Sequence, residues 1–578
     1  MTALLTEHLP LLAGAPNGIK KLRELILELA VRGKLVPQDP DDEPASELLK
    51  RIEIEKARLL DVGLLKKTKK ATGVELDCGL AKVPDSWGWV ALSDITLGMD
   101  SGWSPACEPN PSKNNEAWGV LKTTAVQVMQ FLQEENKALP AHLEPRPDAE
   151  VKAGDILFTR AGPTNRVGIS CLVESTRPRL MISDKIIRFH PIEAGIYGRY
   201  IALCLNTGRT AEYLETAKSG MAASQVNISQ QKLKLAPVPL APLPEQHRIV
   251  AKVDELMALC DRLEAQQADA ESAHAQLVLA LLGSLTQAAD AEDFAASWQR
   301  LAEHFHTLFT TESSIDALKQ SLLQLAVMGK LVPQDPSDEP ASELLARVEL
   351  QNHLTANPSK SKKPKQEIDA ASNIALFELP MGWAIARVSQ TGEIKLGRQR
   401  SPKDHFGEHM VPYLRVANVK ENSLDLSDVK EMNFTPAEQE IFRLLPGDVL
   451  LNEGQSKELV GRPAIFNGEI PRVCFQNTLL RFRAYDCVIP IYALRYFQSC
   501  MHSGRFQQAA QQTTNIAHLS ASRLAAIEFP LPPVPEQYRI IAKIDQLMAL
   551  CDQLKTRLTQ ARQLNEQLAT ALVEQAVA

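Results

Sequence analysis

The 578-residue sequence contains no run of 18 apolar residues, so no segment is long and apolar enough to cross a bilayer as a helix. Its first stretch, MTALLTEHLPLLAGAPNG, lacks the charged start and long apolar run of an export signal, and a soluble chain kept in the cytoplasm is expected. No CxxC pair occurs among the nine cysteines (Cys78, Cys107, Cys171, Cys204, Cys260, Cys474, Cys487, Cys500, Cys551). That leaves neither a zinc knuckle nor a disulfide framework to build on, and reduced, mostly packing cysteines are expected. A phosphate-binding GxxxxGK(S/T) loop is missing: GEIKLGRQ from Gly392 fails at the lysine and hydroxyl positions. There is no GxGxxG, and no Asn-Pro-Pro-aromatic or Asp-Pro-Pro-aromatic stretch of the kind amino-methyltransferases place around a target base. An excess of positive charge is missing too, since the net charge is −7. Two acid or histidine groupings offer little metal chemistry. Asp39, Asp41, Asp42 and Glu43 precede a helix start, where carboxylates cap N–H groups and favour the dipole. HFGEH (His405 to His409) fits an H-x-x-E-H pattern, but Gly407 interrupts it and Pro402 and Pro412 flank it, so a polar loop is expected in place of a metal-binding helix.

What the sequence does contain is a duplication. LAVRGKLVPQDPDDEPASELL from Leu29 returns as LAVMGKLVPQDPSDEPASELL from Leu325, identical at 19 of 21 positions. PEQHRIVAKVDELMALCDRL from Pro244 returns as PEQYRIIAKIDQLMALCDQL from Pro535, identical at 15 of 20. The offsets, 296 and 291, are close enough that a whole half is repeated: opening motif, middle region, closing motif.

The repeated pieces read as scaffold. Ile19, Leu22, Leu25, Ile26 and Leu29 recur at helical spacing, Gly33 follows as a C-terminal cap, and Pro44 suits the first position of a second helix. The closing motif opens a long helix with a four-three apolar alternation, the signature of a coiled coil. In the second copy it runs through Ile540, Ile544, Leu547, Cys551, Leu554, Leu558, Ala561, Asn565, Leu568 and Leu572. In the first it runs through Ile249, Val253, Leu256, Cys260, Leu263, Ala270, Leu277 and Leu281, interrupted by Gln267 and His274.

Between these pieces lie two dissimilar regions with weak matches at a constant offset of 293: GDILFTRAGPTNRVG from Gly154 against GDVLLNEGQSKELVG from Gly447, Leu121-Lys122 against Leu414-Arg415, and Arg188-Phe189 against Arg481-Phe482. Short β-rich runs such as DILFTR and LLRFRA, mixed with helical GRYIALCLNT, predict one mixed α/β fold used twice. The expected division is 1–81, helical scaffold and basic linker; 82–243, first variable domain; 244–378, central spacer, second scaffold repeat and linker; 379–532, second variable domain; 533–578, last spacer helix. The variable regions carry 17 basic against 16 acidic and 17 against 15 residues, so the scaffold holds the acid, near −10.

The duplicated architecture, the Pro-Glu-Gln-x-Arg-Ile-(Val/Ile)-Ala-Lys openings at Pro244 and Pro535, the Gly-Asp-(Ile/Val)-Leu stretches at Gly154 and Gly447, and LAV(R/M)GKLVPQDP together resemble the specificity subunits of type I restriction-modification enzymes, over essentially the whole chain. The resemblance implies two target recognition domains held apart by long antiparallel coiled-coil helices, each domain reading one half of a bipartite site in double-stranded DNA. It also implies a non-catalytic chain that recruits two methyltransferase subunits and restriction subunits. No cofactor is expected on this chain, since S-adenosylmethionine, ATP and magnesium would belong to those partners. The alternative is a coiled-coil adaptor that binds protein ligands through paired domains.

Base reading needs forked or amide donors on loops. The candidates are Lys122, Thr123, Arg160, Asn165, Arg166, Gln225 and Asn227 in the first domain, and Arg398, Arg400, Arg415, Asn418, Asn452, Lys457 and Thr514 in the second. The lysine runs Lys66 to Lys70 and Lys360 to Lys365 suit phosphate contacts.

Overall fold

The computed structural model describes residues 12–62, 82–112, 115–288, 291–355, 379–512 and 516–577. Both lysine runs and Thr514 lie outside them. The chain forms two compact units: residues 1–269 with 561–578, and residues 270–560.

Each unit opens with the repeated corner. Helix α1 (Gly18–Val31) buries Ile19, Leu22, Leu25, Ile26 and Leu29 and ends at Gly33, whose φ of 65° is cheap only for glycine. Lys34 N–H then reaches back to the Leu29 carbonyl at 2.9 Å, closing the helix end. In the other unit α4 (Glu312–Val327) repeats this with Gly329 at φ 71° and Lys330 N–H on the Leu325 carbonyl at 3.0 Å. The next helices are α2 (Ala45–Asp61) and α5 (Ala341–Thr355). Pro44 is the cap of α2, one position before the helical start expected of it.

The Pro-Glu-Gln motif explains why the corner and the long helix recur together. Glu245, 1% exposed, accepts the Trp87 indole N–H at 2.9 Å and the Gln38 amide at 2.6 Å. Gln246 accepts Tyr197 N–H at 2.9 Å and donates to the Ala241 carbonyl at 2.9 Å. Arg248 pairs with Asp42 at 2.6 Å. In the second unit Glu536 accepts Trp383 at 3.0 Å and Gln334 at 3.2 Å, Gln537 accepts Ile489 N–H at 2.8 Å, and Arg539 pairs with Asp338 at 2.6 Å. One five-residue opening therefore locks corner, variable domain and long helix together. Asp42 serves that lock; no side chain caps the start of α2, contrary to the capping expected of the acidic run, and Asp39 instead accepts Asp41 N–H at 3.0 Å in the preceding turn while Glu43 pairs with Arg51 at 2.9 Å.

The long helices, α3 (Leu243–Thr286) and α6 (Val534–Val577), have 44 residues each, about 66 Å at 1.5 Å per residue. Each starts in one unit and ends in the other. In the first unit Ile249, Val253 and Cys260 of α3 share a core with α1 and with Ala569, Val573 and Ala576 of α6. In the second, Cys551, Leu547 and Leu554 of α6 share a core with α4 and with Val278, Leu282 and Leu285 of α3.

The heptad seam holds through the first half of each helix and then moves. Leu277 is 52% exposed and Leu568 is 44% exposed, and the buried positions are Val278, Leu282 and Leu285 in one helix and Ala569 in the other, one residue later than the expected register. Four heptads separate Ile249 from Leu277 and Ile540 from Leu568. A straight helix drifts about 20° per heptad, so the accumulated drift approaches the 100° of one residue. Ala270, Ala561 and Asn565, also expected in the seam, are exposed.

Both variable regions have the same topology. A four-stranded antiparallel sheet runs Asp100–Ser101, Ile186–Phe189, Ile156–Thr159, Ser170–Leu172 in the first, and Gly392–Leu396, Leu479–Ala484, Val449–Asn452, Pro463–Ile465 in the second. The entering and leaving strands pair with each other, Gly88–Ala91 with Pro237–Leu240 and Ala384–Arg387 with Glu528–Leu531, so both ends of each domain meet at the lock. The shared Gly-Asp turns are structural: Gly154 and Gly447 have φ 91° and 95°, and Asp155 and Asp448 accept Lys152 and Leu445 N–H, both at 2.7 Å.

Among the described residues all eight cysteines are free and seven are buried, as packing residues should be. The HFGEH segment starts on the last residue of a 3-10 turn, Pro402–His405, and continues as a loop. Its His405 accepts Arg400 Nε at 3.0 Å. No described helix is long and apolar enough to cross a membrane.

Candidate nucleic-acid interface

The inner strand of each central sheet continues into a small outer sheet. After Thr159 the chain makes Ala161–Gly162, which pairs with Gln225–Asn227, itself paired with Ser219–Ala222. After Asn452 it makes Gly454–Gln455, which pairs with Ala517–His518, itself paired with Gln511–Gln512. The crossing residues are held by matching bonds. Arg160 N–H donates to the Lys185 carbonyl at 2.9 Å and the Arg160 carbonyl accepts Ile228 N–H at 2.8 Å. Glu453 N–H donates to the Thr478 carbonyl at 3.0 Å and the Glu453 carbonyl accepts Leu519 N–H at 2.7 Å.

This sheet gathers candidates that are far apart in sequence. Gln225 and Asn227 are exposed on it, Asn165 is exposed on the loop leaving Ala161–Gly162, and Thr164 N–H ties that loop to the Ala223 carbonyl at 2.9 Å. Arg160 is half-buried, with its Nε enclosed and without a hydrogen-bond partner among the described residues. In the second domain Lys457 is exposed on the equivalent loop.

Other candidates sit elsewhere or face inward. Lys122 and Thr123 lie at the turn Thr123–Ala125, with Lys122 3.5 Å from Glu135. Arg166 leaves the outer sheet to brace that turn, donating to the Thr123 and Val126 carbonyls at 2.8 Å each and to Gln127 at 3.1 Å. Arg415 occupies the equivalent turn before Val416–Asn418 and is ion-paired with Asp428. Asn418, 2% exposed, accepts Arg415 N–H at 3.1 Å and donates to the Asp425 and Asp428 carbonyls at 2.9 and 3.1 Å. Arg398 lies over the Phe434 ring at 5.1 Å and is paired with Glu438 at 2.7 Å and Asp404 at 3.2 Å; the carboxylate partners hold its guanidinium charged against the cost of burial. Arg400 is exposed beside His405.

Asn452 is fully enclosed, and neither its Oδ1 nor its Nδ2 has a partner among the described residues. Its counterpart Thr159 donates its hydroxyl to the Arg166 carbonyl and accepts Ile169 N–H at 3.0 Å.

Sequence reasoning missed Lys185 and His518. Lys185 is exposed beside Arg160, and His518 Nδ1 lies 3.3 Å from Glu453 Oε2. The constant offset of 293 would have aligned Lys185 with Thr478; His518 had no local signal.

The profile described as "Type I restriction modification DNA specificity domain" matches residues 109–271 and 380–562, one match in each half. The chain is 33% identical to the type I restriction enzyme EcoAI specificity subunit of Escherichia coli over an alignment of 583 positions, which covers 97% of this chain and 94% of that protein. It is 50% identical to the EcoEI specificity subunit of Escherichia coli over 287 residues, a match spanning 50% of this chain and 48% of that protein. The solved HsdS subunit from Thermoanaerobacter tengcongensis aligns at 18% identity with a TM-score of 0.42, covering 86% of this chain and 98% of that one. The chain belongs to the family of type I restriction-modification specificity subunits.

Proposed function

We propose that this chain reads an asymmetric, bipartite site in double-stranded DNA, with residues 82–243 on one half-site and residues 379–532 on the other. It is the non-catalytic member of a cytoplasmic complex: two methyltransferase subunits and restriction subunits would bring S-adenosylmethionine, ATP and magnesium. The observation that carries this reading is one backbone frame with two sets of side chains. Matching locks at Glu245 and Glu536 hold domains whose aligned loops differ, as Arg160 against Glu453 and Asn165 against Glu458. Identical readers would suit a palindrome, whereas unlike readers suit unlike half-sites. With variable regions near +1 and +2, much of the phosphate affinity is assigned to the partners. Base-reading groups are assigned to Arg160, Asn165, Gln225, Asn227, Arg400 and Lys457.

Mapping adenine methylation in cells that carry the complete system tests this. A motif of two different half-sites separated by a fixed gap is expected, and a perfect palindrome would contradict it. Equal binding of the complete complex to all DNA sequences would contradict it as well.

A further inference from the structure

The two outer sheets hold their crossing residues in the same backbone bonds and offer opposite chemistry. Arg160 is bonded through Lys185 and Ile228, and Glu453 through Thr478 and Leu519, with all four bonds between 2.7 and 3.0 Å. The side chains therefore leave equivalent points of equivalent frames. In the first domain no hydrogen bond or ion pair within the described residues holds the Arg160 guanidinium. Exposed Lys185 is bonded to Arg160 through the backbone, exposed Gln225 and Asn227 lie on the neighbouring strand, and the register sets Asn227 opposite Ala161, the next residue along. In the second domain the same point carries a carboxylate, Glu453, with the His518 imidazole against it at 3.3 Å and Gly454 opposite His518 in the register.

A carboxylate only accepts and a guanidinium only donates. On the major-groove edge, guanine presents two acceptors, O6 and N7, that match the guanidinium fork, and cytosine presents the N4 amino donor that a carboxylate accepts. An arginine held away from internal acceptors is kept for an external one, as Arg166 and Arg398 are not. We propose that positions 160 and 453 are the paired specificity-determining positions of the two domains: Arg160 reads a guanine in its half-site and Glu453 reads a cytosine in the other. This rests on the DNA-reading function proposed above.

The test uses the full complex with its methyltransferase subunits, comparing wild type with Arg160→Ala, Arg160→Lys and Glu453→Gln, by methylation mapping and by binding to a library of sites over a range of salt concentration. Arg160→Ala is expected to relax one guanine position in one half-site, with discrimination there falling between about 5- and 150-fold. The other half-site should be unchanged. Arg160→Lys keeps the charge but not the fork, and should relax the same position while leaving the salt dependence close to wild type. Glu453→Gln should relax one cytosine position in the opposite half-site.

The proposal is overturned if Arg160→Ala weakens all sequences equally and lowers the salt slope by about one, which marks a phosphate contact. It is also overturned if the motif and its efficiency are unchanged, or if the relaxed base is not a guanine. Thermal unfolding of the variants keeps misfolding separate, because Arg160→Lys preserves the side chain's length and charge. Failure of the wild-type complex to prefer any sequence would sink the broader reading instead, a result these variants cannot produce.

Discussion

Trp87 donates its indole N–H to Glu245 at 2.9 Å, and Trp383 does the same to Glu536 at 3.0 Å, joining residues 158 and 153 positions apart. Each carboxylate receives a second donor from an exposed glutamine, Gln38 or Gln334, so removing it strands one buried donor, the indole N–H. At about 1 to 3 kcal/mol for a stranded buried donor, Glu245→Ala should cost about 1 to 3 kcal/mol in the first unit. Denaturant unfolding followed by a probe in each unit should show the first transition shifted and the second in place.

Burial raises the Glu245 carboxyl above its usual value of 4.5, with the two donors and Arg248 pulling the other way. A raised folded value means the folded state binds the proton more tightly, so the group's contribution is full below about 4.5 and is lost as pH rises through the folded value. Glu245→Gln cannot titrate. The stability of wild type relative to this variant should therefore increase as pH is lowered from neutral toward 4.5, and a constant difference would refute the upward shift.

Asn452 and Thr159 occupy the same strand end, but only Thr159 is satisfied. Copying the first domain's solution, Asn452→Thr replaces an unpartnered buried amide with a hydroxyl of similar volume and should stabilise the second domain by about 1 to 2 kcal/mol. Urea unfolding checks the sign; a loss of stability would mean that the amide has a partner in solution.

Exchanging residues 82–243 for another recognition domain of the family should alter one half-site and leave the other intact, because the lock at Glu245 and Gln246 uses only the corner, Trp87 and backbone groups. Methylation mapping reads the result. Simultaneous change of both halves would show that the domains are not independent.

A heptad inserted into each long helix, between Leu263 and Leu277 and between Leu554 and Leu568, falls largely on exposed residues and, placed after Leu558, leaves both shared cores in place. It lengthens each helix by about 10 Å, up to about three base pairs at ~3.4 Å each, while turning the far half by about 20°. The gap between half-sites should widen by about one to three pairs, or binding should weaken. An unchanged gap at full efficiency would remove the helices as the spacer.

The legible parts were those with a local cause. Gly33 and Gly329 announced helix ends because their left-handed φ needs glycine, and the duplication announced itself by identity. The outer sheet was not legible: a two-residue strand such as Ala161–Gly162 has no periodicity, and its partner Gln225–Asn227 lies more than 60 residues away. The moved seam was hidden for the opposite reason, since Leu277 and Leu568 continue the apolar pattern and only the helix's true 3.6-residue turn carries them into solvent. Arg166, Arg398 and Asn418 read as base contacts by residue type, but converging carbonyls or acids, set by distant segments, turn them inward.

The exchange of helix ends between the two units sets the order in which the molecule is completed during synthesis. Lys21 donates to the Thr570 hydroxyl across 549 residues, and Ala569, Val573 and Ala576 fill the core of the unit to which α1 belongs. A ribosome delivers that unit's strands and its first long helix early, but the last face of its core arrives with Thr570, 549 residues after Lys21. The half that is made first is therefore the half that is finished last, and an incomplete chain leaves the α1 core open.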